Sequence, residues 1–479
     1  MTTAPAPFNP DAEANSLPSF AAARRQNVLL PALVFLGVFL VHSLSCVVQS
    51  YDSAWSVHTA LSIVKEGNTN IDEYRDDVER GGHYLYETIN GHIYSSYPIG
   101  TPLLSVPFVY MADLGLRLLS SVSPRVDAFL RRLSKRPTQR VGAASLHGRV
   151  EVLVASLFVA LTAVLMYLVG CRFLGRFSSA TLACIFAFCT SAWSTASRGL
   201  WQHGPSMLML AVALLLIVKA RERPFLVQFA SIPLAFSFVI RPTNALSIIA
   251  LTFFVVVRHR RFFLQYLAWS VVVVVPFVWY NLWLYHAILP PYFSPHKVGA
   301  TVHLFEGLAG NLVSPSRGLL VYSPVFLLAI YGMVSNLKKA GDRLLDCVLV
   351  AVVVAHWFVI SSFPDWYGGH CYGPRYFTDV VPFFVYFLIP VLAKLSELRG
   401  PRRVALASVF GLLVLVSAFT NGSGAMNRAT EFWNSSPVDV DKAPGRVWDW
   451  RDPQFLRGIV RRPLTIGNPT PHDEGGSQR

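Results

Sequence analysis

VLLPALVFLGVFLVHSLSCVVQSYDSAW, residues 28–55, is the stretch on which the reading of the whole chain turns. Its first part, residues 28–48, is apolar and carries no Asp, Glu, Lys or Arg, and about 20 such residues suffice for a helix to cross a bilayer core. The run is longer than a signal-peptide core, so an uncleaved first membrane helix is expected. Arg24 and Arg25 precede it and hold its start in the cytoplasm by the positive-inside rule. The chain therefore emerges on the opposite face at Tyr51-Asp52-Ser53-Ala54-Trp55, with a carboxylate at the membrane boundary. Residues 1–26 are polar and Ala/Pro-rich and read as a disordered cytoplasmic tail.

The rest of the sequence repeats the pattern of residues 28–48. Of 479 residues, 53% are hydrophobic and 14% charged, against roughly 25% charged in an ordinary soluble domain. With a mean hydropathy of +0.45, this excludes a disordered chain and argues against a water-soluble globule. A membrane β-barrel would show short alternating segments instead. Further apolar runs begin near Val150, Ser179, Trp201, Phe225, Ala245, Phe262, Gly318, Leu344, Asp379 and Val404. The sets Arg172/Arg176, Lys219/Arg221/Arg223, Arg258/Arg260/Arg261, Lys338/Lys339/Arg343 and Lys394/Arg399/Arg402/Arg403 fall on every second loop, as cytoplasmic loops should. They absorb most of the net charge of +14, so no nucleic-acid partner is implied. The fold class is all-α: a polytopic helical membrane protein of about eleven transmembrane helices.

The expected organisation is a transmembrane domain over residues 27–421, a first extracytoplasmic loop over 49–149 within it, and an extracytoplasmic tail over 422–479. The segment from Pro98 to Ser120 is apolar enough to span, and the strongly basic stretch from Arg125 to Arg149 follows it. Loop parity is preserved if this segment is an interfacial or re-entrant helix and the basic stretch lies outside; a further crossing would preserve it too. The run Arg131-Arg132-Leu133-Ser134-Lys135-Arg136 is then either an attractor for an anionic lipid or acceptor, or a topology signal. The six cysteines have neither metal-site nor disulfide-framework spacing.

Asp52 is the leading chemical candidate. A carboxylate at the mouth of a membrane cavity can take a proton from a hydroxyl, and the same residue can cap an interfacial helix. Other segments on the same face are Tyr97-Pro98-Ile99-Gly100-Thr101-Pro102, Arg241-Pro242-Thr243-Asn244, Ser314-Pro315-Ser316-Arg317-Gly318-Leu319, Trp366-Tyr367-Gly368-Gly369 and Gly373-Pro374-Arg375-Tyr376-Phe377. In their order they resemble the GT-C superfamily of membrane glycosyltransferases, among them protein O-mannosyltransferases and lipid A aminoarabinose transferases. The resemblance runs from about residue 28 to the final helices.

That resemblance implies a multi-pass enzyme of the bacterial cytoplasmic membrane, acting on its extracytoplasmic face. Its donor would be a polyprenyl-phosphate-linked sugar and its acceptor an envelope glycan, lipid or protein. The family's catalytic base after the first helix maps onto Asp52. The common Asp-Glu pattern is Asp52-Ser53 here, which weakens any metal site needing an adjacent acid. The leaving phosphate needs a cation beside it, and an Arg fork suits two phosphate oxygens. Arg241, Arg317 and Arg375 at helix ends, with His203 in Trp201-Gln202-His203-Gly204, are the candidates for donor phosphate binding. An Arg at a helix end also snorkels. Trp55, Trp366, Tyr367 and Tyr376 are candidate substrate contacts, as are Asp72, Glu306 and Asp365. No cofactor is expected; a divalent cation is compatible with the sequence but not indicated by it, and no histidine pair has the spacing of a zinc site. The rival class, a transporter or lipid flippase, calls for mid-helix charges and pseudo-symmetric halves, and here mid-helix ionisable residues are scarce.

Overall fold

The computed structural model describes residues 28–49, 52–79, 85–123, 125, 128, 146–294 and 303–460. The N-terminal tail, most of the basic stretch 125–149, including Arg131 to Arg136, and the last 19 residues, 461–479, lie outside the described residues.

The architecture is a helical bundle. Its elements are α1 (Leu29–Leu44), α2 (Ser56–Lys65), α3 (Gly100–Val122), α4 (Leu146–Gly170), α5 (Arg176–Phe188), α6 (His203–Lys219), α7 (Ser231–Ile240), α8 (Ala245–Arg258) and α9 (Phe263–Tyr285). They continue with α10 (Leu304–Val313), α11 (Phe326–Lys338), α12 (Leu344–Ser361), α13 (Val381–Tyr386), α14 (Ile389–Glu397) and α15 (Gly400–Met426). Among the described residues six helical segments are long and apolar enough to cross a membrane, and seven shorter apolar helices accompany them. The segment after Pro98 forms the continuous 23-residue α3, which is one of the six.

Small residues let the helices approach. Ala155, Ala160 and Ala163 are fully buried on α4, the central helix, which packs against α1, α5 and α6. At the periphery α9 turns Val271, Val272, Val275, Trp279 and Trp283 outward; in a bilayer these face lipid, with the two tryptophans towards its C-terminal boundary. The basic loops gather at one end. Arg258 pairs with Asp342 at 2.9 Å, Arg172 pairs with Glu222, and Arg221, Lys339 and Arg343 line one depression of about 330 Å³.

The opposite end carries the polar elements. An antiparallel hairpin, β1 (Tyr86–Ile89) and β2 (His92–Ser95), joins Tyr86 to Ser95 and Ile89 to His92 in register. Asn90 and Gly91 both adopt positive φ at its turn, the conformation an Asn-Gly pair favours. The tail after α15 folds back on the loops of this end: Trp433, Val440 and Val447 form a buried cluster with Trp366.

Candidate active site

Asp52 is fixed by the connection it opens. Just before it, the end of α1 exposes carbonyls that no helix turn satisfies, and the fully buried Arg198 fills that gap. Its guanidinium donates to the carbonyls of Ser45 and Val47 at 3.2 Å, and to that of His42. Trp201 Nε1 donates to the Gln49 carbonyl. Just beyond Asp52, Ser53 Oγ donates to Glu151 Oε2 at 2.7 Å, and Leu200 N donates to the same oxygen at 3.2 Å. This buried carboxylate near the start of α4 ties the Asp52 turn to the 197–202 connection. It also places the first turns of α4 on the Asp52 face.

The Asp52 carboxylate is paired with Arg375. The guanidinium of Arg375 lies over the Trp201 ring, 3.9 Å from its centroid, donates to the Gly368 carbonyl at 3.3 Å, and brings Nε to 3.4 Å from His203 Nε2. Gly368 and Gly369, at φ +77° and +61°, allow the tight turn that presents this carbonyl. Arg241 makes the second pairing, with its Nε 3.0 Å from Asp379 Oδ2 and Nη1 3.2 Å from His203. His203 Nδ1 lies 3.2 Å from Asp379 Oδ1. Thus His203, the first residue of α6, joins two arginines that are 134 residues apart in sequence.

Burial acts most strongly on the Asp52 carboxyl and would raise its pKa, but the charge and hydrogen bond of Arg375 and the Tyr97 hydroxyl together hold it below the usual carboxylate value. Burial, then the Asp52 charge, pushes the Tyr97 phenol up, so it stays a donor. Asp52 is ionised in the resting protein and both arginines are already neutralised.

These residues border a cavity of about 740 Å³. Asp52, Tyr97, Arg241, Arg375 and Tyr376 form its polar wall, and Leu246 on α8, Val359 on α12 and Phe363 just beyond α12 an apolar one. Asp365, which accepts from the Tyr376 hydroxyl at 3.1 Å, also lines it. Beyond Asp52 the space narrows to a cleft bordered by Ser56, Thr101, Trp201 and Gln202. Two buried polar atoms there, Thr101 Oγ1 and Gln202 Nε2, have no hydrogen-bond partner.

The structure therefore brings Asp52, Arg241, Arg375, Asp365 and Tyr376 to one cavity, with His203 between the two arginines and bordering the narrow cleft, and disperses the other sequence candidates. Arg317 is 1% exposed and gives all its N–H groups to neutral oxygens. Nε donates to the Tyr367 carbonyl at 2.7 Å, Nη1 to Ser316 and Gln454, and Nη2 to Gly369 and Asn434. It has no donor left for a phosphate and does not line the cavity; it bolts the C-terminal tail to the Gly368–Gly369 turn. Trp55 is buried with Ile71, Val78 and Ile93 beneath the hairpin. Asp72 accepts from Ile93 N and pairs with His92 and Arg75, which pins the hairpin. Glu306 accepts from Trp448 Nε1 at 3.1 Å on the outer surface. Trp366 packs so closely on α10 that a Cβ at Gly310 would overlap its ring. Tyr367 donates to Asp441 at 3.2 Å. All six cysteines are free.

Sequence reasoning missed Asp379, Gln202 and the tail residue Asp441, which also lines the cavity. Tyr97 was in view within its Tyr-Pro motif but carried no role. Asp379 lies four residues after Arg375, and that spacing was the only local signal.

No model of a known protein family matches this sequence, and the comparison with curated proteins finds no match. Solved structures do match. ArnT from Cupriavidus metallidurans, in a crystal structure bound to undecaprenyl phosphate, superposes with a TM-score of 0.51 at 15% identity, over 85% of this chain and 68% of ArnT. The chain has the GT-C fold. Archaeal oligosaccharyltransferase AglB from Archaeoglobus fulgidus, in complex with an inhibitory peptide and a dolichol-phosphate, gives 0.50 at 10% identity, over 88% of this chain and 59% of that one. In this structure charged side chains that are distant in sequence meet where the helices end, and Asp52 and Arg375 are such a pair.

Proposed function

We propose that this chain is a membrane glycosyltransferase that moves a sugar from a polyprenyl-phosphate-linked donor to a hydroxyl acceptor with inversion. The acceptor is carried by an envelope glycan, lipid or protein outside the cytoplasmic membrane of a bacterium. The observation that carries this reading is the Asp52–Arg375 pair on the wall of a large cavity that is polar on one side and apolar on the other. ArnT and AglB, which share the fold, were solved with polyprenyl-type phosphates.

In the proposed reaction the lipid tail runs along the apolar wall between α8 and α12. The donor phosphate competes with Asp52 for Arg375, whose fork can hold two phosphate oxygens. Once Arg375 turns to the phosphate, Asp52 loses its counter-ion and becomes a stronger base. An acceptor hydroxyl entering by the narrow cleft, where Gln202 Nε2 and Thr101 Oγ1 lack partners, can give its proton to Asp52 as its oxygen attacks the anomeric carbon. The sugar–phosphate bond breaks and the electron pair leaves on the phosphate, steadied by Arg375 and Arg241. One displacement inverts the anomeric centre. Much of the rate would come from holding donor and acceptor together. Donor binding thus precedes activation of the base.

The test is transfer in proteoliposomes from a panel of synthetic polyprenyl-phosphate sugars, with product anomers assigned by NMR. Transfer with inversion supports the reading; transfer with retention contradicts the single-displacement step. Absence of transfer or donor hydrolysis across the panel, with wild-type protein that binds polyprenyl phosphate, contradicts the enzymatic reading.

A further inference from the structure

His370, Asp439 and Asp441 converge on the cavity from two separate segments. His370 follows the Gly368–Gly369 turn; the carboxylates come from the tail, 69 and 71 residues further on. His370 Nε2 lies 3.0 Å from Asp439 Oδ2 and 3.7 Å from Asp441 Oδ2, and one ligand atom of each residue falls within 4.8 Å of the others. Four bonds of about 2.0 Å at tetrahedral angles separate neighbouring donors by about 3.3 Å, and the two distances from His370 Nε2, 3.0 and 3.7 Å, bracket that spacing. His370 and Asp441 both border the main cavity.

The surroundings hold this arrangement. Asp439 Oδ1 accepts from Asp441 N at 2.9 Å, which brings the two carboxylates to one side of the tail. Tyr367 donates to the other oxygen of Asp441 at 3.2 Å, an outer contact of the kind that orients a metal-binding carboxylate. The tail is anchored independently: Gln454 donates to the Cys371 and Thr430 carbonyls, and Asn434 accepts from Arg317. One imidazole and two carboxylates suit a first-row divalent ion of the zinc type, and three protein donors leave one position open.

We propose that His370, Asp439 and Asp441 form a binding site for a zinc-type divalent cation on the wall of the cavity. The ion clasps the tail to the loop that carries Arg375 and offers its open position to water or to a phosphate oxygen of the cavity's ligand. The site goes beyond the transferase reading, since the ion's own binding does not require catalysis. The neighbouring charges are Lys442 on the tail and Arg375 on the loop, and neither is paired with these carboxylates.

The test uses full-length protein in nanodiscs, stripped with chelator and titrated with Zn²⁺ alone. Bound metal is counted by elemental mass spectrometry after dialysis, and tail protection is followed by trypsin cleavage at Lys442 and Arg446. One equivalent in wild type, retained in Asp52→Asn, lost in His370→Gln and in Asp439→Asn, with tail cleavage slowed at least fivefold by Zn²⁺ in wild type alone, is the expected result. His370→Gln keeps a side chain that can bond Asp439, so its melting temperature without metal should match wild type. Less than a tenth of an equivalent in wild type, or equal Zn²⁺ uptake by the three-residue variant His370→Gln/Asp439→Asn/Asp441→Asn, would overturn the proposal. Because the readouts are metal content and tail protection, failure here leaves the transferase reading standing, and failure of transfer leaves the site standing.

Discussion

Arg375 and Arg317 occupy similar sequence contexts, each beside glycine and proline at a helix end on the same face of the bundle, yet they end in different environments. Arg375 meets a carboxylate on a cavity wall and lies over the Trp201 ring. Arg317 meets five neutral oxygens and lies within 5.3 Å of the Trp433 ring centroid in the packed tail. A charge paired with one movable carboxylate can be exchanged for a phosphate. A charge distributed over carbonyls and amides is fixed, because leaving would strand several buried acceptors at a cost of about 1–3 kcal/mol each. The pairing partner, rather than the local motif, separates an arginine able to act from one that holds structure.

The sharpest way to break this comparison is to remove each charge. Asp52→Asn should lower transfer by roughly 10²–10⁴-fold, the range for loss of a positioned base. It should also tighten binding of polyprenyl phosphate, since Arg375 no longer has an internal competitor; calorimetry in nanodiscs measures this, and weaker binding would argue against the exchange. Arg375→Gln should abolish transfer and lower the melting temperature less than Arg317→Ala does, since Asp52, left without its counter-ion, can take up a proton. Arg317→Ala should do the reverse in order of cause, lowering the melting temperature and exposing the tail to trypsin before any effect on chemistry. Equal loss of stability in both variants would erase the distinction.

The pH dependence sharpens the same point. Burial alone would raise the Asp52 pKa, and Arg375 with Tyr97 overcomes it. A carboxyl depressed in the folded state adds stability that is present above its unfolded value, about 4, and is lost as pH falls through the folded value. The pair should therefore persist from neutral pH down past the ordinary carboxylate range. In Arg375→Gln burial is opposed mainly by Tyr97, so the Asp52 titration should move up, as carboxylate infrared bands would report. An unshifted titration would show that Arg375 does not set it.

Smaller effects are expected further from the pair. Thr101→Val and Gln202→Leu should raise the acceptor KM severalfold with kcat nearly kept, because each removes an unpartnered polar atom from a residue that borders the cleft. His92→Ala should cost at most about 1 kcal/mol and leave transfer unchanged, since its pairing with Asp72 is exposed and such pairs contribute little.

The parts of the molecule that depend on local pattern were legible in the sequence. Apolar run length marked α1, α4 and α15, alternating basic loops separated the two faces, and the emergence of Asp52 after α1 located the cavity. Arg241, His203 and Arg375 were singled out because each stands at a helix end on that face, and the structure places the three side by side. What local pattern could not carry was the identity of tertiary partners. Trp55 has the composition of a sugar-stacking residue and is consumed by the core under the hairpin. Arg317 looked like a phosphate ligand until Gln454 and Asn434 arrived from more than a hundred residues away. The His370 cluster has no sequence spacing at all, because the tail's fold creates it. The Asn90-Gly91 turn is the exception: its chemistry is local, and the hairpin could have been read from it.

The most direct measurement is mass spectrometry of lipid and envelope-glycan extracts from cells lacking the protein, complemented at equal membrane levels with wild type or Asp52→Asn. Accumulation of a polyprenyl-phosphate sugar together with loss of one sugar from an envelope component, reversed by wild type and not by Asp52→Asn, is the outcome expected. Full restoration by Asp52→Asn would contradict the assignment of Asp52 as the base.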